Sequence, residues 1–251
     1  ILIGAGLLML PRCTVNCITW VDSLFTATSA VCVTGLVPVD VSTTFTTSGL
    51  VVIILLIQIG GLGVMTLTSF FAMFFMGNTS IYNQLVVRDM VSSNSLGSLL
   101  STLLYILGFT LVIEGIGMVS IWFSIHGTLG MTLEGELGFA AFHSISAFCN
   151  AGFDLMGRYS PFSSITRFYN DPVVILTISA LILIGGIGFF VWNDLREHGL
   201  HCRHYALQTK MVLSATAVCL FSGTLLFYLF EHNRLFAGMS FGEQLLNSFF
   251  C

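Results

Sequence analysis

Long uncharged stretches constrain this chain more than any other feature. No Asp, Glu, Lys or Arg occurs between Asp40 and Arg88, from Pro172 to Asn193, or from Met211 to Phe230. Roughly 20 residues rising ~1.5 Å each cross a ~30 Å hydrocarbon layer, and each run is long enough to do so. Only 8% of the 251 residues are charged and 55% are hydrophobic, with a mean hydropathy of +0.94. Such a chain cannot clothe a water-facing globule. An all-α polytopic membrane protein in contact with lipid is expected, and no nucleic-acid partner.

The opening ILIGAGLLMLPRC lacks a basic segment and a small-residue cleavage site, so it reads as the end of a helix and not as a signal peptide. FGEQLLNSFFC breaks off inside an apolar pattern. A piece of a longer protein is therefore expected. Helical spans are predicted at 1–10 (partial) and near 48–76, 98–125, 172–193 and 210–230. Two further stretches, between Asp22 and Asp40 and between Glu136 and Asp154, hold 17 uncharged residues each. Gly, Ser, Asn or Thr interrupts both, leaving helical parts of about Trp20 to Ala30 and about Leu137 to Phe148. These are too short to cross a bilayer and read as re-entrant. Irregular backbone at membrane depth survives only where protein buries it or water reaches it, so re-entrant segments imply a lumen.

The two stretches are copies. SAVCVTGL (29–36) aligns with SAFCNAGF (146–153), pairing Ser29 with Ser146, Ala30 with Ala147, Cys32 with Cys149 and Gly35 with Gly152 at a constant offset of 117. Downstream, IGGLG (59–63) recurs as IGGIG (184–188) at an offset of 125, the extra residues falling in the loop RYSPFSSITRFYNDP. The repeating unit is helix, short re-entrant helix, irregular strand, helix. Its first copy occupies 1–76 and its second 98–194, with cytoplasmic linkers at 77–97 and 195–209. A third copy starts at 210–251, where GMSFGEQLLNSFFC resembles the entry to the earlier short helices.

Basic residues divide four against four, with Arg12, Arg158, Arg167 and Arg234 on the loop side and Arg88, Arg196, Arg203 and Lys210 opposite. Orientation is therefore undecided by the positive-inside rule. Most acidic residues lie on the loop side, and an acidic mouth concentrates cations. A short helix followed by extended backbone suits a cation pore, because bare carbonyl oxygens can replace an ion's hydration shell. Glycine at the end of that stretch reaches angles that aim its carbonyl at an axis.

LFTATSAVCVTGLVPVD, LIQIGGLGVMTLTSFF and FHSISAFCNAGFDLMG closely resemble the Trk/Ktr/HKT family of potassium transporters, and within it the KtrB-type membrane subunits. The resemblance implies four covalently linked pore-loop repeats around one axis, each keeping a single filter glycine. Carried over position by position, it makes Cys32, Val33, Thr34 and Gly35 the first filter and Cys149, Asn150, Ala151 and Gly152 the second. Backbone carbonyls there would bind K+, with Na+ as a further ion, and no other cofactor. Cys149 departs from the Asn of the family pattern NNAGF, and Cys32 stands where Thr is more usual. The resemblance further implies uptake across a bacterial inner membrane, a cytoplasmic nucleotide-binding regulatory subunit of the KtrA/TrkA type, a homodimer of the full-length protein, and gating in a third repeat whose filter lies outside this chain.

Other residues carry less specific signals. Glu114 is the one acid deep inside a span; it reads as a hydrogen-bonded carboxyl locking its helix to a pore helix, with an ion site as the sharper alternative. His143 reads as a packed neutral histidine, and Asp154 as an outer-mouth or loop charge. Asp22, Glu136 and Glu243 precede or open the short helices, where they favour the positive helix end. The paired glycines predict close helix packing, or a hinge. Cys13 and Cys17 have the spacing of a weak disulfide or metal pair, and the other cysteines read as small hydrophobes. The run His198, His201, Cys202, His204 could hold a soft metal but reads better as a solvated loop. Among rival functions, an enzyme would need facing acids, bases or ligands beyond Glu114 and His143. An ion-coupled carrier of the inverted-repeat kind would show its copies in opposite orientation, whereas these lie an even number of crossings apart.

Overall fold

The computed structural model describes residues 1–76, 95–160, 163–199, 201 and 203–251, with side chains for all of these except 64–76 and 95–103. The expected linker 77–97 therefore falls largely outside the described residues. Among the described residues ten α-helices follow one another: α1 (Leu2–Leu8), α2 (Trp20–Cys32), α3 (Val41–Thr44), α4 (Thr47–Met76), α5 (Ser95–Ile125), α6 (Leu133–Phe148), α7 (Pro172–Ile187), α8 (Phe189–His198), α9 (Leu207–Glu231) and α10 (Phe241–Phe250). Two short 3-10 turns, Met156–Arg158 and Ser164–Phe168, stand between α6 and α7. Among the described residues there is no strand, only an isolated antiparallel bridge between Thr14 and Phe45.

The long helices follow the uncharged runs. Leu104–Ile125 of α5 and Leu207–Glu231 of α9 are long and apolar enough to cross a bilayer, and the chain is a membrane protein built of apolar helices. Along α9 only Thr209 is buried, while Val218, Phe221 and Phe230 are exposed; a helix apolar on every face suits a hydrocarbon solvent. The expected span 172–193 is different. It breaks at Gly188, where φ is +88°, and α8 leaves α7 at 89°. Only glycine takes that backbone angle without strain, and the indole Nε1 of Trp192 donates to the Ile184 carbonyl at 2.9 Å, partnering an oxygen near the break.

The three short helices α2, α6 and α10 each begin on a hydroxyl cap. Thr19 Oγ1 accepts from the Asp22 N–H at 3.1 Å and Thr132 Oγ1 from the Gly135 N–H at 3.3 Å. Ser240 and Glu243 form a reciprocal capping box. Because Thr132 is the cap, α6 starts at Leu133 and not near Leu137, and Glu136 lies inside its first turns without opening it. At the other end, α2 continues to Cys32, two residues past the expected Ala30.

The core lies where these short helices meet the long ones. Ala5 and Leu8 of α1 pack with Ala27 and Ala30 of α2 and with Ile53 and Ile57 of α4. Ser23 Oγ donates to the Ala5 carbonyl at 2.6 Å, joining α1 to α2. Phe142 and Phe148 of α6, together with Met156, are almost wholly buried on the other side. Small residues on one element and large ones on its neighbour allow the close approach that membrane packing needs.

Glu136 has a different task from helix opening. It is 2% exposed and takes two hydrogen bonds from the end of α5, from His126 Nδ1 at 2.8 Å and from the Gly127 N–H at 2.9 Å. The His126 contact first, then the Gly127 N–H, hold its carboxyl below the usual carboxylate range. A carboxyl with a lowered folded-state pKa stabilises the fold above its unfolded pKa, and that contribution fades as pH falls through the folded value. Glu136→Gln is accordingly expected to lower the thermal midpoint of the detergent-solubilised full-length protein at pH 7 and to lower it less at pH 3. A gap between the two midpoints that is the same at both pH values would remove the carboxylate from this joint.

Candidate ion-binding site

Both predicted filter segments begin where a short helix runs out of helical angles. Val33 caps α2 with φ +56°, and Asn150, one residue past the Cys149 cap of α6, has φ +58°. Gly35 and Gly152 both follow at φ +71°. Positive φ is unusual for a non-glycine residue and a true outlier for a β-branched one, at a cost of order 1–2 kcal/mol. Its recurrence 117 residues apart makes it a property of the segment. The hydrogen bonds recur too. The Thr34 N–H donates to the Ser29 carbonyl at 3.0 Å and the Ala151 N–H to the Ser146 carbonyl at 2.7 Å. One residue earlier, Val33 N–H reaches Ala30 at 3.4 Å and Asn150 N–H reaches Ala147 at 3.0 Å.

These turns use the N–H groups of Val33, Thr34, Asn150 and Ala151 and leave the oxygens. Among the described residues, no hydrogen-bond donor reaches the carbonyl oxygens of Val33, Thr34 and Gly35, or those of Asn150, Ala151 and Gly152. Thr34, Asn150 and Gly152 are exposed, so these oxygens are open to a ligand from outside the chain. The structure also brings the two segments together: a Cβ on Gly35 would lie 2.5 Å from the Ala151 carbonyl oxygen and 3.2 Å from Gly152 Cα, while one on Gly152 would lie 3.6 Å from Gly35 Cα. No side chain fits at Gly35.

From behind, each segment rests on a glycine of a helix that follows it, α4 or α7. A Cβ on Gly60 would overlap the Val31 carbonyl oxygen, and one on Gly185 the Phe148 carbonyl oxygen. Val31 and Phe148 are themselves 117 apart. The close packing expected of the paired glycines is present, but its partner is the last turn of a short helix and not another span. Gly188 adds the hinge-like break, whereas its counterpart Gly63 stays inside the continuous α4.

The second segment has further supports. His143 is 4% exposed; its Nδ1, 2.8 Å from the Phe139 carbonyl, carries the proton, which leaves Nε2 to accept from the Leu155 N–H at 3.3 Å. It is thus a packed, neutral strut between α6 and the backbone beyond Gly152. Ser146 Oγ donates to the Phe153 carbonyl at 2.7 Å, and Asp154 Oδ1 accepts from the Met156 N–H at 2.8 Å, turning the chain away. A cavity of about 250 Å³ opens beside this segment, lined by His143, Asn150, Gly152 and Asp154. In the first segment the serine is used differently: Thr34 Oγ1 donates to Ser29 Oγ at 2.9 Å.

A family model of cation transport proteins, TrkH, matches residues 5–250. The chain belongs to that family. Among curated relatives of this TrkH-family chain, the potassium/sodium uptake protein NtpJ of Enterococcus hirae is 36% identical over 259 residues, an alignment covering 100% of this chain and 54% of NtpJ. The Ktr system potassium uptake protein B of Vibrio alginolyticus is 38% identical, over 98% of this chain and 53% of its own length. Its namesake in Bacillus subtilis is 34% identical, over 93% and 51%. The chain thus spans about half the length of the curated relatives it matches. Family and relatives are cation transporters and not enzymes, which agrees with the sequence-based expectation.

The remaining candidates of the TrkH-family chain are dispersed. Cys32 is exposed while Cys149 is buried, and Cys13 and Cys17 are both free thiols. His198 Nδ1 lies 2.9 Å from Asp194 Oδ1, and its ring centroid is 6.3 Å from that of His204. Cys202 lies outside the described residues; among the described ones no group of three or more His, Cys, Asp or Glu side chains is arranged to hold a metal. Glu114 is 5% exposed and takes a hydrogen bond from Gln58 Nε2 at 3.2 Å. Sequence reasoning missed Gln58, a lone amide in LIQIGG whose partner is 56 positions away. It also assigned no task to Ser29 and Ser146, although their matched positions in the copies were a visible signal.

Replacing the glycine seats should weaken the fold directly. Gly60→Ala and Gly185→Ala are each expected to cost ~1–3 kcal/mol through overlap with a backbone carbonyl, seen as lower thermal midpoints of the full-length protein in detergent. Gly115→Ala, in open space on α5, should leave the midpoint unchanged or raise it. Equal behaviour of all three would show that the glycines do not seat the short helices.

Proposed function

We propose that this chain forms part of a potassium pathway in which the carbonyl oxygens of Cys32 to Gly35 and of Cys149 to Gly152 coordinate the ion. The observation that carries the reading is the pair of segments with the same backbone turn, unpaired carbonyls and mutual contact at Gly35 and Gly152. Stripping a cation of water requires oxygens at close quarters, and these are oxygens that the fold itself does not use. The relatives' names, potassium uptake for two and potassium/sodium uptake for one, support K+ as the principal ion and Na+ as a second.

In this reading 1–76 and 98–194 are two pore-loop repeats and 210–251 begins a third, joined on the cytoplasmic side through 77–97 and 195–209. Asp154 stands at the outer mouth. The full-length protein sits in the bacterial inner membrane as a homodimer, takes up K+ down its electrochemical gradient in a channel-like manner, and works with a cytoplasmic nucleotide-binding subunit of the KtrA/TrkA type. The naming of the relatives as parts of a Ktr system supports that last assignment.

Because Gly35 has no room for a side chain and Gly152 shares its positive φ, both are sensitive probes. Gly35→Ser and Gly152→Ser in the full-length protein, expressed in a strain without its own potassium uptake, should lower K+ uptake at least about tenfold, the rate equivalent of ~1.4 kcal/mol, or lower the preference for K+ over Na+. Normal uptake with normal preference in both variants, at normal membrane abundance, would end the filter assignment.

A further inference from the structure

One polar cluster is not explained by the turns and glycine seats just described. Glu114 on α5 stands between Gln58 of α4, which donates to its Oε2 at 3.2 Å, and the thiol of Cys149, which lies 4.0 Å from its Oε1. Its backbone is pinned as well, since Ser144 Oγ donates to the Glu114 carbonyl at 2.7 Å. Room for the thiol comes from Gly61, where a Cβ would lie 2.6 Å from Cys149 Sγ. The cluster therefore joins three elements, the first-repeat helix α4, the second-repeat helix α5 and the end of α6, at the residue that opens the second carbonyl run.

Two details set it apart from ordinary packing. At the 125-residue offset of the glycine pairs, Gln58 corresponds to Leu183, so the amide belongs to this seam alone and not to the repeat. Moreover, Gln58 Oε1 is shielded from solvent and has no hydrogen-bond partner among the described residues. The fold thus tolerates an unsatisfied acceptor, a cost to folding, to aim the amide N–H at the carboxyl. An apolar residue such as the leucine of the second copy would avoid that cost. Persistent unsatisfied polar groups in a core call for a reason beyond stability.

We infer that Glu114, oriented by Gln58, is a positioning residue for the second filter: through the Cys149 side chain it sets the direction of the carbonyl run from Cys149 to Gly152, and with it the preference for K+ over Na+. This rests on the pore reading above. The carboxyl touches no ion; it acts by limiting how far the first residue of the run can turn. It also gives Cys149 a task that backbone coordination alone does not, because a side chain at this place must fit against Gly61 and meet an acceptor. Cys32, exposed in the first copy, has neither partner.

The test is the ratio of K+ to Na+ uptake by the full-length protein in an uptake-deficient strain, normalised to membrane abundance. Gln58→Leu installs the second repeat's residue and frees the carboxyl. It should lower the ratio about fivefold, the scale of one net hydrogen bond. Glu114→Leu should lower it equally, and the double variant no further, since both remove one clamp. Glu114→Gln exchanges one acceptor oxygen for an NH2 donor, which the Gln58 amide can meet by turning its Oε1 toward it, and should stay within about twofold of the parent. If Gln58→Leu is present at parental levels with an unchanged ratio, the inference is overturned and the cluster is only a lock between helices. Should Glu114→Leu fail to accumulate, Gln58→Leu and Glu114→Gln still decide. Uptake by the parent and its loss in Gly35→Ser report on the pore reading separately, so failure of that reading is distinguishable from failure of this one.

Discussion

Everything in this structure depends on what happens to the backbone where α2 and α6 stop. Backbone N–H groups that leave a helix need new partners within the chain. Here the carbonyls of Ser29 and Ser146 reach forward to Thr34 and Ala151, closing a turn that forces Val33 and Asn150 into positive φ. The strain and the satisfied donors are two sides of one arrangement. What the turn cannot satisfy is the row of carbonyls beyond it, and a cation path is the use to which such a row lends itself.

The glycines extend that logic to packing. Gly60 and Gly185 let a long helix come up against the very carbonyls that end α2 and α6, so the position of each turn is set by a helix that follows it in sequence. Gly35 and Gly152 do the same between the turns themselves. Chemical support is less symmetric than backbone shape. The second segment has the His143 strut, the Ser146 bond and the Glu114 cluster, whereas the first relies on Ser29 and Thr34. Equivalent backbone positions are thus held by different side chains, as tandem copies permit once each occupies its own surroundings.

Much of this was legible in the sequence because it is local or repeated. Uncharged runs marked α4 and α9, an apolar run broken by Glu114 alone marked α5, and the shared spacing of SAVCVTGL and SAFCNAGF marked the two turns. Helix starts were less legible: Thr132 competes as a cap with the acidic residues that follow it, and the hydroxyl prevails, placing Glu136 within reach of His126. The break at Gly188 could not be told from Gly63, since both motifs read IGG-x-G while one helix runs on and the other turns. Gln58 and Glu114 were separately visible, but nothing local relates residues so far apart. The seating of Gly60 and Gly185 was readable as close packing, though not against which partner.

The bend at Gly188 bears on the thickness of the protein's own wall. The 16 residues of α7 rise only about 24 Å at 1.5 Å each, several ångströms less than a ~30 Å hydrocarbon layer. Beyond that point the chain turns sideways, and Arg196 lays its guanidinium 4.8 Å from the centroid of the Tyr105 ring, an aromatic and cationic pair of the sort that settles at a lipid headgroup boundary. In the proposed pore, a crossing this short that ends in a sideways helix draws the nearer leaflet inward and thins the low-dielectric barrier beside the ion path.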